Sequence, residues 1–363
     1  METFKDLYND TFLQQFSDKI QLYTAHFEPL TFYQHIHNAG WEELAFKQRI
    51  RRISEALTAA LSLPYDQAVS LLIEMAPDCT GIEYLFFPDY VELNGLEQVD
   101  LSMQALEQLT RYSSAEFAVR PFILQDPERM LEQMNRWADH ENEHVRRLAS
   151  EGFRPRLPWS FQLKMFINDP EPTLRVLDKL KQDPSLYVRK SVANHLNDIA
   201  KDHPDRIAAI AREWHGQHPH TDWIIRHGCR TLLKQDHPEV MDLFGYLPNE
   251  QVRAADFAVS VPEVAIGDDI ELSFTLFNEA VSAQNLRIDY EVDLMKANGR
   301  HAAKRFRWVS REFAPGQHLM RKKHSFKLIT TRVYYPGIHH IRLYVNGEKQ
   351  GDVSFILKAP GGS

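Results

Sequence analysis

Hydrophobic positions change their period once along this chain. Before about residue 250 they recur at three-to-four spacing, the mark of amphipathic helices. Clear cases are LSMQALEQLTR (101–111), PERMLEQMNRWA (127–138), PTLRVLDKLKQ (172–182) and DRIAAIAREWH (205–215). FKQRIRRISEAL (46–57) predicts a basic amphipathic helix, and the aromatic run GIEYLFFPDYVELNGL (81–96), broken by Pro88, predicts packing against the first repeats. After about residue 250 the pattern alternates, in ADFAVSV, IELSFTLF, LRIDYEVDLM, KRFRWVS, HSFKLI, HIRLYVNG and DVSFILK, with turn signals ANG, APG, YPG and VNG between them. Seven short strands in about 110 residues predict an antiparallel sandwich of immunoglobulin type. The Cys–Trp–Cys spacing of true immunoglobulin domains is absent, so only the architecture is implied. The expected organisation is two domains, helical over 1–250 and sandwich over 251–360, which suits a chain of 363 residues.

The helical part repeats. A hydrophobic residue followed by arginine opens the second helix of each pair four times: Val119-Arg120, Val145-Arg146, Val188-Arg189 and Ile225-Arg226. The spacings are 26, 43 and 37 residues; the last two approach the length of HEAT-like repeats and the first is irregular. Helix pairs of this kind stack into a curved solenoid, so the fold class expected is mainly α, a HEAT-like helical-repeat solenoid followed by the sandwich. The repeated arginines would either form a row along one face or each tie a neighbouring turn.

Charge refines this picture. The formal net charge of -8 argues against a nucleic-acid partner, but its distribution does not. The first hundred residues are acidic, whereas residues 301–350 hold 11 Lys/Arg against 2 Asp/Glu. A locally basic face governs phosphate binding more than the whole-chain sum. Two cysteines, Cys79 and Cys229, make neither a disulfide framework nor a CxxC site, which fits a reducing compartment. With no basic-then-apolar leader and no apolar run of about 18 residues, neither a signal peptide nor a membrane span is expected. The localisation expected is cytoplasmic.

Familiar catalytic patterns are missing: there is no phosphate-cradling glycine loop, no GxSxG and no HExxH. HGQHPH brings His215, His218 and His220 together in a proline-containing loop, without the further ligands that zinc requires. His339 and His340 are adjacent on a strand and face opposite ways. What remains is acids beside the arginines. Glu116 follows Ser113 as in a capping box and precedes Arg120 at i,i+4. Glu151 has Arg147 four residues earlier, the less favourable orientation, with Gly152 and Pro155 ending the helix beyond it. Asp198 has Lys201 three residues on. Each acid is open to a structural or a functional role. Trp159, after Pro158, sits in a segment read as a loop, where it would either enter the core or stack on a sugar or base.

At this point the residues carry a family. YSSAEFAVRPFILQDPERM, HVRRLASEGFRPRLPW, YVRKSVANHLNDIAKDHP and DWIIRHGCRTLLK resemble the AlkC-type branch of the HEAT-like alkylpurine DNA glycosylases. GIEYLFFPDYVELNGL is similar to the same branch, and KANGR, HSFKLITTR and YPGIHHIRLYVNG resemble the immunoglobulin-like domain that some members carry. One departure is His195, where Asn is expected. The resemblance covers nearly the whole chain. It implies hydrolysis of the N-glycosidic bond of cationic N-alkylated bases such as 3-methyladenine and 3-methylcytosine, in duplex DNA gripped by a concave helical surface and the sandwich. Its active-site acids match Glu116, Glu151 and Asp198, and its tryptophan matches Trp159.

Physical chemistry agrees with that implication. A base alkylated on a ring nitrogen is already cationic and leaves without a general acid, so the barrier lies in the oxocarbenium-like sugar. Carboxylates aimed at the sugar stabilise it and orient water, without metal or cofactor. An arginine and lysine frame would hold the phosphates; the candidates are Arg146, Arg154, Arg156, Arg189, Lys190, Arg226 and Arg230, with Lys322, Lys323 and Arg332 from the sandwich. A monomer with an abasic-site product and no strand cleavage is expected. The competing reading is a non-catalytic HEAT scaffold binding protein or structured DNA, which predicts ion-paired acids and apolar patches along the groove. Convergence of the three acids in one basic cleft separates the two.

Overall fold

The computed structural model describes residues 4–38, 40–329 and 332–360. It divides into two compact units, Met1–Cys229 and Arg230–Ser363. The change of hydrophobic period near 250 marks where strands begin, at Val252; the division by packing falls earlier, because two short helices cluster with the strands.

The first unit is helical. Its helices are α1 (Asp10–Tyr23), α2 (Pro29–Ile36), α3 (Phe46–Ala60), α4 (Tyr65–Met75), α5 (Phe86–Asn94), α6 (Val99–Leu109) and α7 (Arg120–Gln125). There follow α8 (Pro127–Ala138), α9 (Glu143–Glu151), α10 (Lys164–Asn168), α11 (Glu171–Leu180), α12 (Leu186–Ile199), α13 (Pro204–Trp214) and α14 (Pro219–Gly228). The four amphipathic stretches read from the sequence become α6, α8, α11 and α13, shifted by no more than two residues at either end. Proline in the first turn opens α8, α11, α13 and α14, where its missing N–H costs nothing. Helices pack as consecutive pairs α8–α9, α11–α12 and α13–α14; the second members α9, α12 and α14 touch in order, and α8 touches α11. Leu148, Val176, Leu177, Val188, Val192 and Leu196 are buried along these contacts. No described helix is long and apolar enough to cross a membrane.

The repeated arginines take up the architectural alternative. Arg146 donates to the carbonyls of His140 and Glu141, six and five residues earlier; Arg189 does the same to Asp183 and Pro184. Each thereby closes the turn that enters its own helix, beside the side-chain caps Asn142 and Ser185. Arg146 also reaches Asp183 of the next repeat at 2.6 Å. Arg226 differs: it lies near the end of α14, not at its start.

The second unit opens with α15 (Arg230–Lys234) and α16 (Pro238–Leu243). Its strands are β1 (Val252–Val259), β2 (Glu263–Ala265), β3 (Asp269–Asn278), β4 (Gln284–Met295), β5 (His301–Phe313), β6 (Gly316–Ser325), β7 (Gly337–Val345) and β8 (Glu348–Lys358). They form a three-stranded sheet, β1-β3-β6, and a five-stranded sheet, β2-β8-β7-β4-β5. All pairings are antiparallel except the short β2–β8 contact, which is parallel. Leu272, Phe274, Ile288, Val292, Ile341, Leu343 and Phe355 fill the core, with Trp308 edge-on to Phe274 at 4.9 Å. Six of the seven expected strands are present. HSFKLI (324–329) is not one: the strand there is β6, which ends at Ser325. As the edge of its sheet, β6 carries the polar run QHLMRKK, and a charged edge strand has no apolar face to announce it. Thr330 and Thr331 of the quoted HSFKLITTR lie outside the described residues.

His195 makes the stability of the fold depend on pH. It is fully buried on α12, and its Nδ1 lies 3.0 Å from the Ser150 carbonyl, which can only accept, so Nδ1 carries the hydrogen. Burial first, then the charge of Arg154, pushes its pKa down to about 3. The unfolded chain therefore binds a proton that the folded one refuses, and stability falls as pH drops below the ordinary histidine value toward about 3. Going from about pH 7 to about pH 5, His195 alone is expected to remove about 2 kcal/mol. In His195→Asn, whose amide nitrogen can replace the Nδ1 donor, urea denaturation followed by circular dichroism should show that increment gone.

Candidate active site

The site is built where α9 ends. Gly152 follows Glu151, and the chain from 152 to 163 forms a loop rather than continuing the helix. Arg120, fully buried at the start of α7, holds this loop. Its Nη1 donates to the carbonyls of Gly152 at 2.9 Å and Arg154 at 2.8 Å, and its Nη2 to that of Phe161 at 2.5 Å. Burial, and then the charge of Arg154, lowers its pKa to about 10, which still leaves the guanidinium charged at neutral pH. Arg120 thus does not pair with Glu116, four residues before it. Nor does Glu116 complete a capping box with Ser113; its partners are Ser114, whose hydroxyl donates at 2.7 Å, and Arg147, at 2.7 Å.

The three acids belong to one chain of alternating charge. Arg147 pairs with Glu116 at 2.7 Å and lies 3.7 Å from Glu151. Glu151 Oε1 accepts from Arg154 Nη1 at 2.6 Å, and Arg154 Nε donates to Asp198 Oδ2 at 2.9 Å. Asp198 Oδ1 accepts from Lys201 at 3.0 Å. The other oxygen of Glu151 accepts from the Ser191 hydroxyl at 2.6 Å. Glu151 is 5% exposed and Asp198 2%, so these charges stand in a poorly solvated place where pairing decides whether they are tolerated. Burial opposes the charge on Arg147 and on Arg154, yet the neighbouring carboxylates outweigh it and hold both guanidinium pKa values above the ordinary one.

A cavity of about 490 Å³ opens over this chain, and its lining includes Glu116, Arg147, Glu151, Arg154, Trp159 and Tyr187. Asp198 joins the site through Arg154 and is not part of the wall. Tyr187 lies under the Arg147 guanidinium, 4.6 Å from ring centroid to Cζ. Trp159 is 56% exposed, in the loop and not in the core. Its φ of +62° is left-handed, a strained conformation for a residue with a Cβ. Phe4 and Phe46 support its ring, with centroids 5.7 and 6.0 Å away, and the three aromatics border an adjacent apolar cavity.

The candidate phosphate contacts separate by location. Arg154 is buried and spent on Glu151 and Asp198, so it is unsuited to bind phosphate. Arg146 and Arg189 are tied to helix-entry turns. Arg156 forms a two-pronged pair with Asp202, while Lys190 and Arg226 are exposed and Arg230 is half-buried. In the second unit Lys323 is exposed, Lys322 turns its ammonium to the carbonyls of Arg307 and Trp308, and Arg332 reaches the Tyr334 hydroxyl. His218 caps α14 by accepting from the His220 N–H. Sequence reasoning missed Arg147, Tyr187 and Ser191 as site residues. Only Arg147 left a signal, its place four residues before Glu151.

Comparison with known proteins supplies the family. Residues 107–232 match the DNA alkylation repair enzyme family, and residues 253–359 match the YhaZ C-terminal Ig-like domain. The chain is 41% identical to the uncharacterized protein YhaZ of Bacillus subtilis, over 98% of this chain and 99% of the relative. Its structure is similar to that of Pseudomonas fluorescens alkylpurine DNA glycosylase AlkC bound to DNA containing an abasic site analog, with a TM-score of 0.95, 41% identity, and coverage of 99% of this chain and 100% of the other. This chain belongs to the DNA alkylation repair enzymes, in the AlkC-like branch that carries a C-terminal immunoglobulin-like domain.

Proposed function

We propose that this protein is a DNA glycosylase that hydrolyses the N-glycosidic bond of cationic N-alkylated bases, 3-methyladenine and 3-methylcytosine, in duplex DNA, and so initiates base excision repair. The observation that carries the reading is the convergence of Glu116 and Glu151 on one cavity, with Asp198 held behind them by Arg154. The acids are fully ion-paired, as a scaffold would also have them. Their convergence beside a half-exposed tryptophan in a strained backbone conformation favours chemistry. A carboxylate offers about four lone-pair sites, so Glu151, with one strong donor on each oxygen, retains capacity for a water or for a developing positive charge.

The mechanism follows from the leaving group. A ring-alkylated base carries its own positive charge and departs neutral, so nothing needs to protonate it. Charge then builds on the deoxyribose, where Glu116 and Glu151 stabilise it electrostatically and one of them aligns the attacking water. Neutral bases, poorer leaving groups, are left intact. No covalent enzyme intermediate enters this scheme, so the product is an abasic site in an uncut strand and the enzyme is monofunctional. The helix pairs α8–α9, α11–α12 and α13–α14 form the HEAT-like solenoid of this reading. The phosphate frame is Arg156, Lys190 and Arg226 in the helical unit, and Arg230, Lys323 and Arg332 in the second unit. The protein works as a DNA-associated monomer in the cytoplasm, without metal or cofactor.

Incubation with methylated duplex DNA should release 3-methyladenine and 3-methylcytosine, read by chromatography of the free bases; release no greater than from a protein-free control refutes the glycosylase reading. Glu151→Gln should bind abasic-site duplex as the wild type does and lose about 100- to 1,000-fold in single-turnover excision, the scale of a lost electrostatic stabiliser. An unchanged rate removes Glu151 from the site. Trp159→Ala should weaken binding of abasic-site duplex by about 1–3 kcal/mol, the worth of one aromatic stack on nucleic acid, as read by fluorescence anisotropy.

A further inference from the structure

We propose that Ser191 is a positioning residue for Glu151, a role that rests on the glycosylase reading above. Glu151 is the last residue of α9, where a helix frays and a side chain gains freedom. Two buried groups remove that freedom. Arg154 takes Oε1, and the Ser191 hydroxyl, itself 2% exposed, takes Oε2 at 2.6 Å. Two donors on different oxygens fix the plane of the carboxylate, which a single donor leaves free to rotate.

The direction of each bond follows from valence. A carboxylate only accepts, so the one hydroxyl hydrogen of Ser191 goes to Glu151. Ser150, whose Oγ is 2.9 Å from that of Ser191, must then donate to it, which polarises the Ser191 hydroxyl toward the carboxylate. One turn further along α12, His195 Nδ1 donates to the Ser150 carbonyl. Ser191 and His195 are four residues apart and share a helical face. That face grips the final turn of α9 twice, by side chain at Glu151 and by backbone at Ser150. Because the α9–α12 contact is buried, movement of one helix end against the other is resisted by packing as well as by these bonds.

The test uses the full chain and single-turnover release of 3-methyladenine from methylated duplex, with wild type, Ser191→Ala, Glu151→Gln and the double variant. Ser191→Ala is expected to bind abasic-site duplex like the wild type and to excise about 10- to 100-fold more slowly, the effect of a hydrogen bond to a charged group. Combined with Glu151→Gln it should add nothing, because it acts only through that carboxylate. A wild-type rate for Ser191→Ala, or an equal slowing in both backgrounds, overturns the positioning role. If circular dichroism shows Ser191→Ala unfolded, Ser191→Cys, similar in size and a weak donor, is judged by the same two criteria. A wild-type protein that releases no base overturns the glycosylase reading and this inference together; an active wild type indifferent to Ser191 overturns this inference alone.

Discussion

Arg154 is the interaction on which the site depends. It is a buried cation between two buried carboxylates, Glu151 and Asp198, and none of the three would be tolerated there without the others. Removing one partner of such a pair leaves an uncompensated charge, at a cost of about 3–5 kcal/mol. The same logic runs outward, through Arg147 to Glu116 on one side and Lys201 on the other. Three carboxylates and three cations make the chain locally neutral, which on the proposed function lets acids stand where DNA phosphates approach. A bare cluster of three would repel any anionic ligand.

The repeat and the site use different arginines, and the peptide VRR shows how. Arg146 closes the turn into α9 and reaches Asp183; Arg147, one residue later and about 100° around the helix, faces the cavity with Glu116 and Glu151. The strand equivalent is Lys322-Lys323, where successive side chains take opposite faces: Lys322 turns to the carbonyls of β5 and Lys323 to solvent. Arg120 departs from its repeat equivalents Arg146 and Arg189. It reaches forward to the loop after α9, so an architectural arginine of one repeat carries the loop that bears Arg154 and Trp159.

Much of the fold was legible because its elements are strongly periodic. Helices α6, α8, α11 and α13 and six strands follow directly from spacing. The exceptions have local causes. Strand β6 is an edge whose exposed positions Arg321 and Lys323 and inward Lys322 leave no apolar alternation, and three-residue β2 is too short to register. At the site, the acids came into view through the family resemblance, whereas their partners were hidden because pairing is set in three dimensions. Glu116 looked satisfied by Ser113 and Arg120, four residues or fewer away in sequence; its cation is Arg147, thirty-one positions on. Ser191, forty positions from Glu151, had no local pattern at all.

The basic face of the sandwich fits the same division of labour. A lysine or arginine on an edge strand blocks pairing with another sheet, so the charge of β5 and β6 has a structural reason before any ligand is considered. The outward positions Arg307, Arg311, Arg321 and Lys323 remain exposed and alternate along the two edges, while the inward Lys322 bonds β5 from β6. On the proposed function Lys323 of this outward set meets phosphates together with Arg332, and contacts of that kind position a duplex without reading its sequence. On that reading discrimination is left to the leaving group's own charge and to the rigidity with which Glu151 is held. On the same reading, a lesion that already carries the positive charge asks of the protein only a well-fixed anion, and the buried pairings of Glu151 with Arg154 and Ser191 supply that fixity.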